Sequence, residues 1–233
     1  MKLKTRRLLS VVFALGVVAV WLLVNPASYE QIFMPVENTG VETAEDSGRL
    51  ATEVLEELEV KGRAPKTGYS REQFYDGWPI VDDCSLRQKI LKREFGDTAV
   101  LEGCNVVAGE FDEPYTGEHR VFNNREEVSQ IQIDHVVALS DAWQKGAQYK
   151  TYEVRNQIAT DPLDLLAVDG PANEQKSDGD AATWLPKNKK FRCQYVARQV
   201  SVKYKYGLWV TKAEKEAIMR ILENCPNELA VGI

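Results

Sequence analysis

Gln132-Ile133-Asp134-His135-Val136-Val137-Ala138 and, further along, Leu163-Asp164-Leu165-Leu166-Ala167-Val168-Asp169-Gly170-Pro171-Ala172-Asn173-Glu174-Gln175-Lys176 are the stretches whose reading decides the fold. In the first, Ile131, Ile133 and Val137 alternate with Gln132, Asp134 and Val136, an imperfect period of two that predicts a strand. The second opens on a short apolar run that reads as another strand. Asp169-Gly170-Pro171 is then a turn, and Pro171 suits the start of a helix, where its missing N–H is not needed. Asn173 and Lys176 are i and i+3 on one face of that helix. Strand, loop, strand and helix make a ββα unit. The expected fold class is α+β: a small antiparallel sheet with a ββα core and flanking helices.

The residue types suit phosphodiester hydrolysis, which needs an activated water and relief for charge building on the phosphorus and leaving oxygens. His135 is one of two histidines in the chain, and a neutral imidazole can take a proton from water near neutral pH. Asp134 offers a carboxylate and Asn173 an amide carbonyl, the hard oxygen donors that a divalent cation such as Mg²⁺ prefers. Asp134 and His135 are adjacent, so on a regular strand they point to opposite faces. Both reach one site only if the strand ends or bulges there.

The order and spacing of Asp134-His135, Asn173 and Lys176, with Ala182-Thr183-Trp184-Leu185-Pro186 downstream and the Lys61–Arg71 loop upstream, resemble the His-Asn-His (HNH, or ββα-metal) endonucleases. The chain looks most like an exported branch of the GmrSD C-terminal type. That resemblance implies a metal-dependent endonuclease with Asp134 and Asn173 as metal ligands and His135 as general base. It implies Mg²⁺ foremost, with Mn²⁺ also possible, and products ending in a 5′-phosphate and a 3′-hydroxyl. The expected partner is nucleic acid, with DNA favoured over RNA, and no protein partner is expected. Lys176, Lys145, Arg63 and Lys66 are candidate substrate contacts, with Arg71 beside them. The middle Asn of the pattern, which braces the loop bearing the catalytic His, is replaced by Asp164. An ionised Asp only accepts hydrogen bonds, so the brace survives if its partners are backbone N–H groups. The alternative is an exported nucleic-acid-binding domain of the same fold with weak or no catalysis.

Within the 233 residues, the first 26 stand apart. Lys2, Lys4, Arg6 and Arg7 precede an apolar stretch from Leu8 to Val24, the pattern of a signal peptide or signal-anchor. No clean Ala-x-Ala site precedes Pro26, which tips the reading toward an anchor while leaving cleavage open. Either way the rest of the chain is placed outside the cytoplasm, extracellular or at the cell surface. Residues 27–60 read as an acidic linker and a helix with Leu50, Val54, Leu55 and Leu58 on one face. The nuclease domain is expected over 61–229. Cys84, Cys104, Cys193 and Cys225 contain no Cys-x-x-Cys pair, which argues against a zinc ribbon. In an oxidising compartment four cysteines allow three pairings. Cys84–Cys104 with Cys193–Cys225 is favoured because each closes a local loop; four buried thiols are the alternative.

The net charge of −6 runs against a general polyanion binder, but its distribution matters more. Residues 27–62 hold nine acidic and two basic residues, while 63–233 hold 26 and 23. From Lys187 to Ala213 eight Lys or Arg occur with no acid, a block that could track phosphates. Elsewhere the pattern predicts a helix over about 83–95 stopped by Gly96, and strands over 100–111, 120–122 and 128–138 in an antiparallel meander turning at Glu113–Gly117. Two further helices are expected at about 189–202 and 212–224, the second opened by a capping box of Thr211 and Glu214. His119 is assigned no catalytic role.

Overall fold

The computed structural model describes residues 48–232; the expected signal or anchor segment and the expected linker lie outside the described residues. Helix α1 (Ala51–Glu57) buries Ala51, Val54 and Leu55. It is pinned at its start by backbone bonds between Ala51 and Glu228 and between Ala230 and Arg49. A ribbon of β1 (Ile80–Val81) and β2 (Cys84–Ser85) turns through Asp82 and Asp83, both at positive φ (46° and 63°). That is the backbone a two-residue hairpin loop requires. Ser85 accepts the Gln88 N–H and so caps α2 (Leu86–Phe95), which ends at Gly96 with φ 54°. Strands β3 (Val100–Glu102), β4 (Asn105–Asp112) and β5 (His119–Phe122) form an antiparallel meander in that order. Gly109 in β4 sits at φ 143°, and a Cβ there would lie 2.4 Å from the Phe95 ring and 2.8 Å from the Thr98 carbonyl. Glycine therefore lets α2 close onto the meander.

After the meander come α3 (Arg125–Ser129), capped by Asn124, then β6 (Gln132–His135) and α4 (Leu139–Gln144). Next follow α5 (Tyr152–Thr160), β7 (Leu165–Val168) and α6 (Gly170–Lys176). Two long helices complete the order, α7 (Arg192–Tyr206), ended by left-handed Gly207, and α8 (Lys212–Leu222) with the Thr211–Glu214 capping box. β6 and β7 pair antiparallel, with Asp134 opposite Leu166 and His135 opposite Leu165. β6, β7 and α6 are the ββα unit.

β7 explains why its sequence is apolar without alternation. Leu166 and Val168 join a core with α1, α7 and α8, while Leu165 and Ala167 join a second core with α2, β4 and β5. A strand buried on both faces has no polar side. A third cluster, with Phe74, Trp143 and Ile158, packs below the end of β6.

Two expectations are corrected. Residues 128–138 are not one strand: Glu127 and Asn124 cap a short helix first, and β6 leaves the meander to pair with β7. Residues from Gly48 onward form one compact unit, in which α1 contributes to the helical core. α1 is also shorter than the expected helix to Val60, whose backbone bridges to Val210 instead. Both favoured disulfides are present, Cys84–Cys104 and Cys193–Cys225, and no described cysteine is free. The first ties the β1–β2 ribbon to the β3–β4 turn; the second ties the start of α7 to the chain beyond α8. Among the described residues no helix is long and apolar enough to cross a membrane.

Candidate active site

β6 ends at His135 because the next residues are held by Asp164 rather than by the ladder. The Val136 N–H donates to the Asp164 carbonyl at 2.7 Å, and the Val137 N–H donates to Asp164 Oδ1 at 2.8 Å. A cleft of about 310 Å³ lies across this strand end and is lined by Asp134, His135, Asn173, Lys66, Arg71 and Asp178, among others. The ladder is regular through His135, so the Asp134 and His135 side chains leave opposite faces of β6, while both residues border the cleft at the strand end.

His135 is almost fully buried. Its ring stacks on Trp78 (centroids 6.2 Å apart, planes 9° apart) and tilts against Tyr75 at 5.9 Å. Nε2 lies 2.9 Å from the Ala159 carbonyl oxygen. A carbonyl only accepts, so the proton resides on Nε2 and the lone pair on Nδ1. Burial pushes the His135 pKa down from 6.5 to about 3, despite the Ala159 carbonyl, so the ring is neutral.

Asp134 is also buried, and burial raises its pKa although Lys176 and Tyr115 both counteract this. Lys176 Nζ donates to Asp134 at 3.0 Å and to the His135 carbonyl at 2.8 Å. The Tyr115 hydroxyl donates to the other carboxylate oxygen. Tyr115 is held by the Glu113 turn: Glu113 accepts the Tyr115 and Thr116 N–H groups, and also that of Asp169, which caps α6. One buried carboxylate thus links the meander turn to the helix carrying Asn173. Asn173 donates its amide to Gln132 Oε1 at 2.8 Å, which orients the side chain and leaves its carbonyl oxygen free of protein donors among the described residues.

A carboxylate and an amide oxygen in one cleft fit a hard divalent cation, which keeps several waters and takes few protein ligands. Lys176 Nζ lies 3.0 Å from both Asp134 oxygens and Tyr115 donates to Oδ2, so a cation here would share the carboxylate with them, with Oδ1 the less engaged oxygen.

Asp164 has no exposed surface, no cation pairs with it, and its Oδ2 has no partner among the described residues. Burial pushes its pKa well above the ordinary carboxylate value. The acid therefore holds its proton and presents the same shape and neutral charge as the amide it replaces.

Several expected substrate contacts are placed otherwise. Lys145 has no exposed surface and pairs with Asp141, Asp180 and Glu214. Arg63 pairs with Asp141 and Asp180 in the same network. Lys176 is buried on Asp134, a positioning role rather than a surface contact. Lys66 does line the cleft, paired with Asp178 at 2.9 Å, and so does Arg71. The basic block is dispersed: Lys203 is buried against Asp141 and Glu214, Lys205 pairs with Asp161, and Arg198 donates to the Leu163 carbonyl. None of the block lines the cleft. Tyr115, Glu113 and Trp78 had no sequence signal beyond a turn and scattered aromatics.

The family described as "GmrSD restriction endonucleases, C-terminal domain" matches residues 82–221. The chain belongs to this family. That match spans α2 through nearly all of α8, and so includes every residue of the ββα unit. An uncharacterized secreted protein of Arthroderma benhamiae is 33% identical over 181 residues, covering 77% of this chain and 86% of the relative. No solved structure matches.

Proposed function

We propose that this member of the GmrSD C-terminal family is an exported, metal-dependent HNH-type endonuclease that hydrolyses phosphodiester bonds in nucleic acid, DNA above RNA. One observation carries the reading: His135 gives its only ring proton to a backbone carbonyl, which leaves Nδ1 an acceptor on a residue that borders the same cleft as Asp134 and Asn173. The family match supports the nuclease class, and the relative's description as secreted supports export.

His135 Nδ1 accepts the proton of the attacking water. Its basicity is low in the substrate-free cleft, and an arriving anionic phosphate raises it, because nearby negative charge favours imidazolium. Asp134 and Asn173 would hold the metal, Mg²⁺ or Mn²⁺, which when bound supplies Lewis-acid relief for the phosphoryl and leaving oxygens. Lys176 and Tyr115 fix the Asp134 carboxylate, and Asp164 fixes the backbone after His135. Arg71 and Lys66 face the strand's phosphates from the cleft wall. The nuclease domain in this reading starts at Gly48 and includes both disulfides.

The bonds from Lys176 and Tyr115 onto Asp134 favour a second reading, a nucleic-acid-binding domain with little catalysis, because they already satisfy that carboxylate in part. Digestion separates the two. Oxidised residues 27–233 are incubated with plasmid, linear DNA and RNA, with Mg²⁺, Mn²⁺ or EDTA, beside His135→Ala. Metal-dependent cutting that disappears in the variant supports the enzyme. Binding without cutting by either protein supports the second reading.

A further inference from the structure

Beside the catalytic cleft lies a larger cavity of about 490 Å³, and the two share Arg71, Ile133 and Asn173 as walls. Three guanidinium groups line the larger cavity, those of Arg71, Arg87 and Arg125, and no Asp or Glu does. Arg125 at the rim is largely exposed and pairs with Glu102. Arg87 differs. It is half-buried on α2, it donates to the Ile131 carbonyl at 2.8 Å, and it has no carboxylate partner among the described residues. Burial lowers its pKa and no neighbouring acid opposes this. Arg71 likewise has no acid partner and donates to the Tyr75 hydroxyl at 3.0 Å.

A half-buried cation without a counter-ion is costly, and a guanidinium retains several donors in a fork matched to phosphate. The fully buried cations Lys145, Lys176 and Lys203 all contact carboxylates, whereas Arg155, Arg192 and Arg198 are, like Arg87, half-buried and held by carbonyl oxygens. What sets Arg87 apart from these is its place: it lines a cavity that shares walls with the cleft.

We propose that this cavity is a second phosphate subsite, in which Arg87, with Arg71 at the junction, holds the phosphodiester neighbouring the scissile one on the same strand. The polar groups of Gln88, Asn105 and Gln132 line the space for the intervening nucleotide. The inference rests on the proposed nuclease reading and deepens it: the substrate is a strand of at least two linked phosphates rather than a single phosphate ester.

The test pairs a binding and a cleavage measurement. A short labelled oligonucleotide is titrated in EDTA against the wild-type chain and the Arg87→Gln, Arg87→Lys and Lys92→Gln variants, with inorganic phosphate as competitor. Lys92 is exposed on the same helix and does not line the cavity. Arg87→Gln is expected to weaken binding about tenfold and to lower the salt slope by about 1. Arg87→Lys, which keeps charge and loses the fork, should lose roughly threefold. Lys92→Gln should stay within about twofold, as a screened surface charge does. Hydrolysis of bis(p-nitrophenyl) phosphate, which has no neighbouring phosphate, should fall less in Arg87→Gln than oligonucleotide cleavage does. Equal losses in Arg87→Gln and Lys92→Gln, or unchanged binding in both Arg87 variants, overturn the subsite. So does displacement of the oligonucleotide by millimolar inorganic phosphate, which would mark a free-anion site. If Arg87→Gln does not fold, Arg87→Lys alone decides. Binding that depends on Arg87 without hydrolysis by the wild type would refute the nuclease reading and leave the subsite standing.

Discussion

Replacing Lys145 by Met tests whether this lysine belongs to the framework or to the substrate. Its ammonium lies 2.7 Å from Asp141, 2.8 Å from Asp180 and 2.6 Å from Glu214. Lys203 reaches Asp141 and Glu214 at 3.1 and 2.7 Å, and Arg63 reaches Asp141 and Asp180 at 2.9 and 2.7 Å. Three cations and three carboxylates thus balance at the junction of α4, α7, α8 and the loop after α6. Lys145→Met leaves three buried carboxylates facing two cations, and breaking a buried pair in this way costs roughly 3–5 kcal/mol. For a unit of this size about 2–4 °C is lost per kcal/mol, so the melting temperature should fall by roughly 6–20 °C. Urea and thermal unfolding at pH 7 read this directly. Adding Glu214→Gln restores the balance at two charges of each sign and should recover about half of the loss. Acid unfolding gives a further signature. Burial would raise the Asp180 pKa, but Lys145 and then Arg63 override it and hold the group at about 2, below its ordinary 3.8. The stability it contributes is full above about pH 4, is lost as pH falls toward 2, and amounts to roughly 2 kcal/mol. That window should shrink in Lys145→Met. A loss below about 1 kcal/mol, or a folded variant whose kcat/KM falls more than tenfold, would refute the structural role and return Lys145 to the substrate.

His135→Ala should lower turnover by about 10²–10⁴-fold while oligonucleotide binding in EDTA is retained, measured by gel cleavage beside anisotropy. Asp164→Asn should keep the fold and the activity, whereas Asp164→Ala leaves the Val137 N–H unpaired and should cost about 1–3 kcal/mol by urea unfolding. Because the raised Asp164 pKa keeps a proton that the unfolded chain releases, wild-type stability declines as pH rises above about 4. The advantage of Asp164→Asn should therefore grow from pH 4 toward neutrality, and a pH-independent difference would contradict the neutral acid. Removing Cys193–Cys225, which closes a 32-residue separation, should cost about 3–4 kcal/mol, seen as a lower melting temperature matching that of reduced protein.

That Asp134, His135 and Asn173 border one cleft was legible in the sequence because a ββα unit brings them together over a short length of chain. The strands and helices of that unit follow from local signals: an apolar run, a turn, Pro171 and the Asp169 cap. The disulfide partners were legible too, since each pair is close in sequence. The ion-pair network of Lys145 and Arg63 was not legible, for one reason. A lysine and its three carboxylates, on α4, after α6 and on α8, show no periodicity that links them, so the chain reads each as a solvated charge.

The sequence by itself determined the chemistry available and the local unit that carries it, because periodicity, capping and turn residues act over a few neighbours. Tertiary structure alone decided which charges line the cleft and which are paired away from it. It buried Lys176 on Asp134, brought Tyr115 from the meander turn onto the same carboxylate, stacked Trp78 on His135, and left Arg87 without an acid beside the cleft. A charge becomes structural or functional according to what the packed chain places within a few ångströms of it, and those neighbours come from distant parts of the sequence.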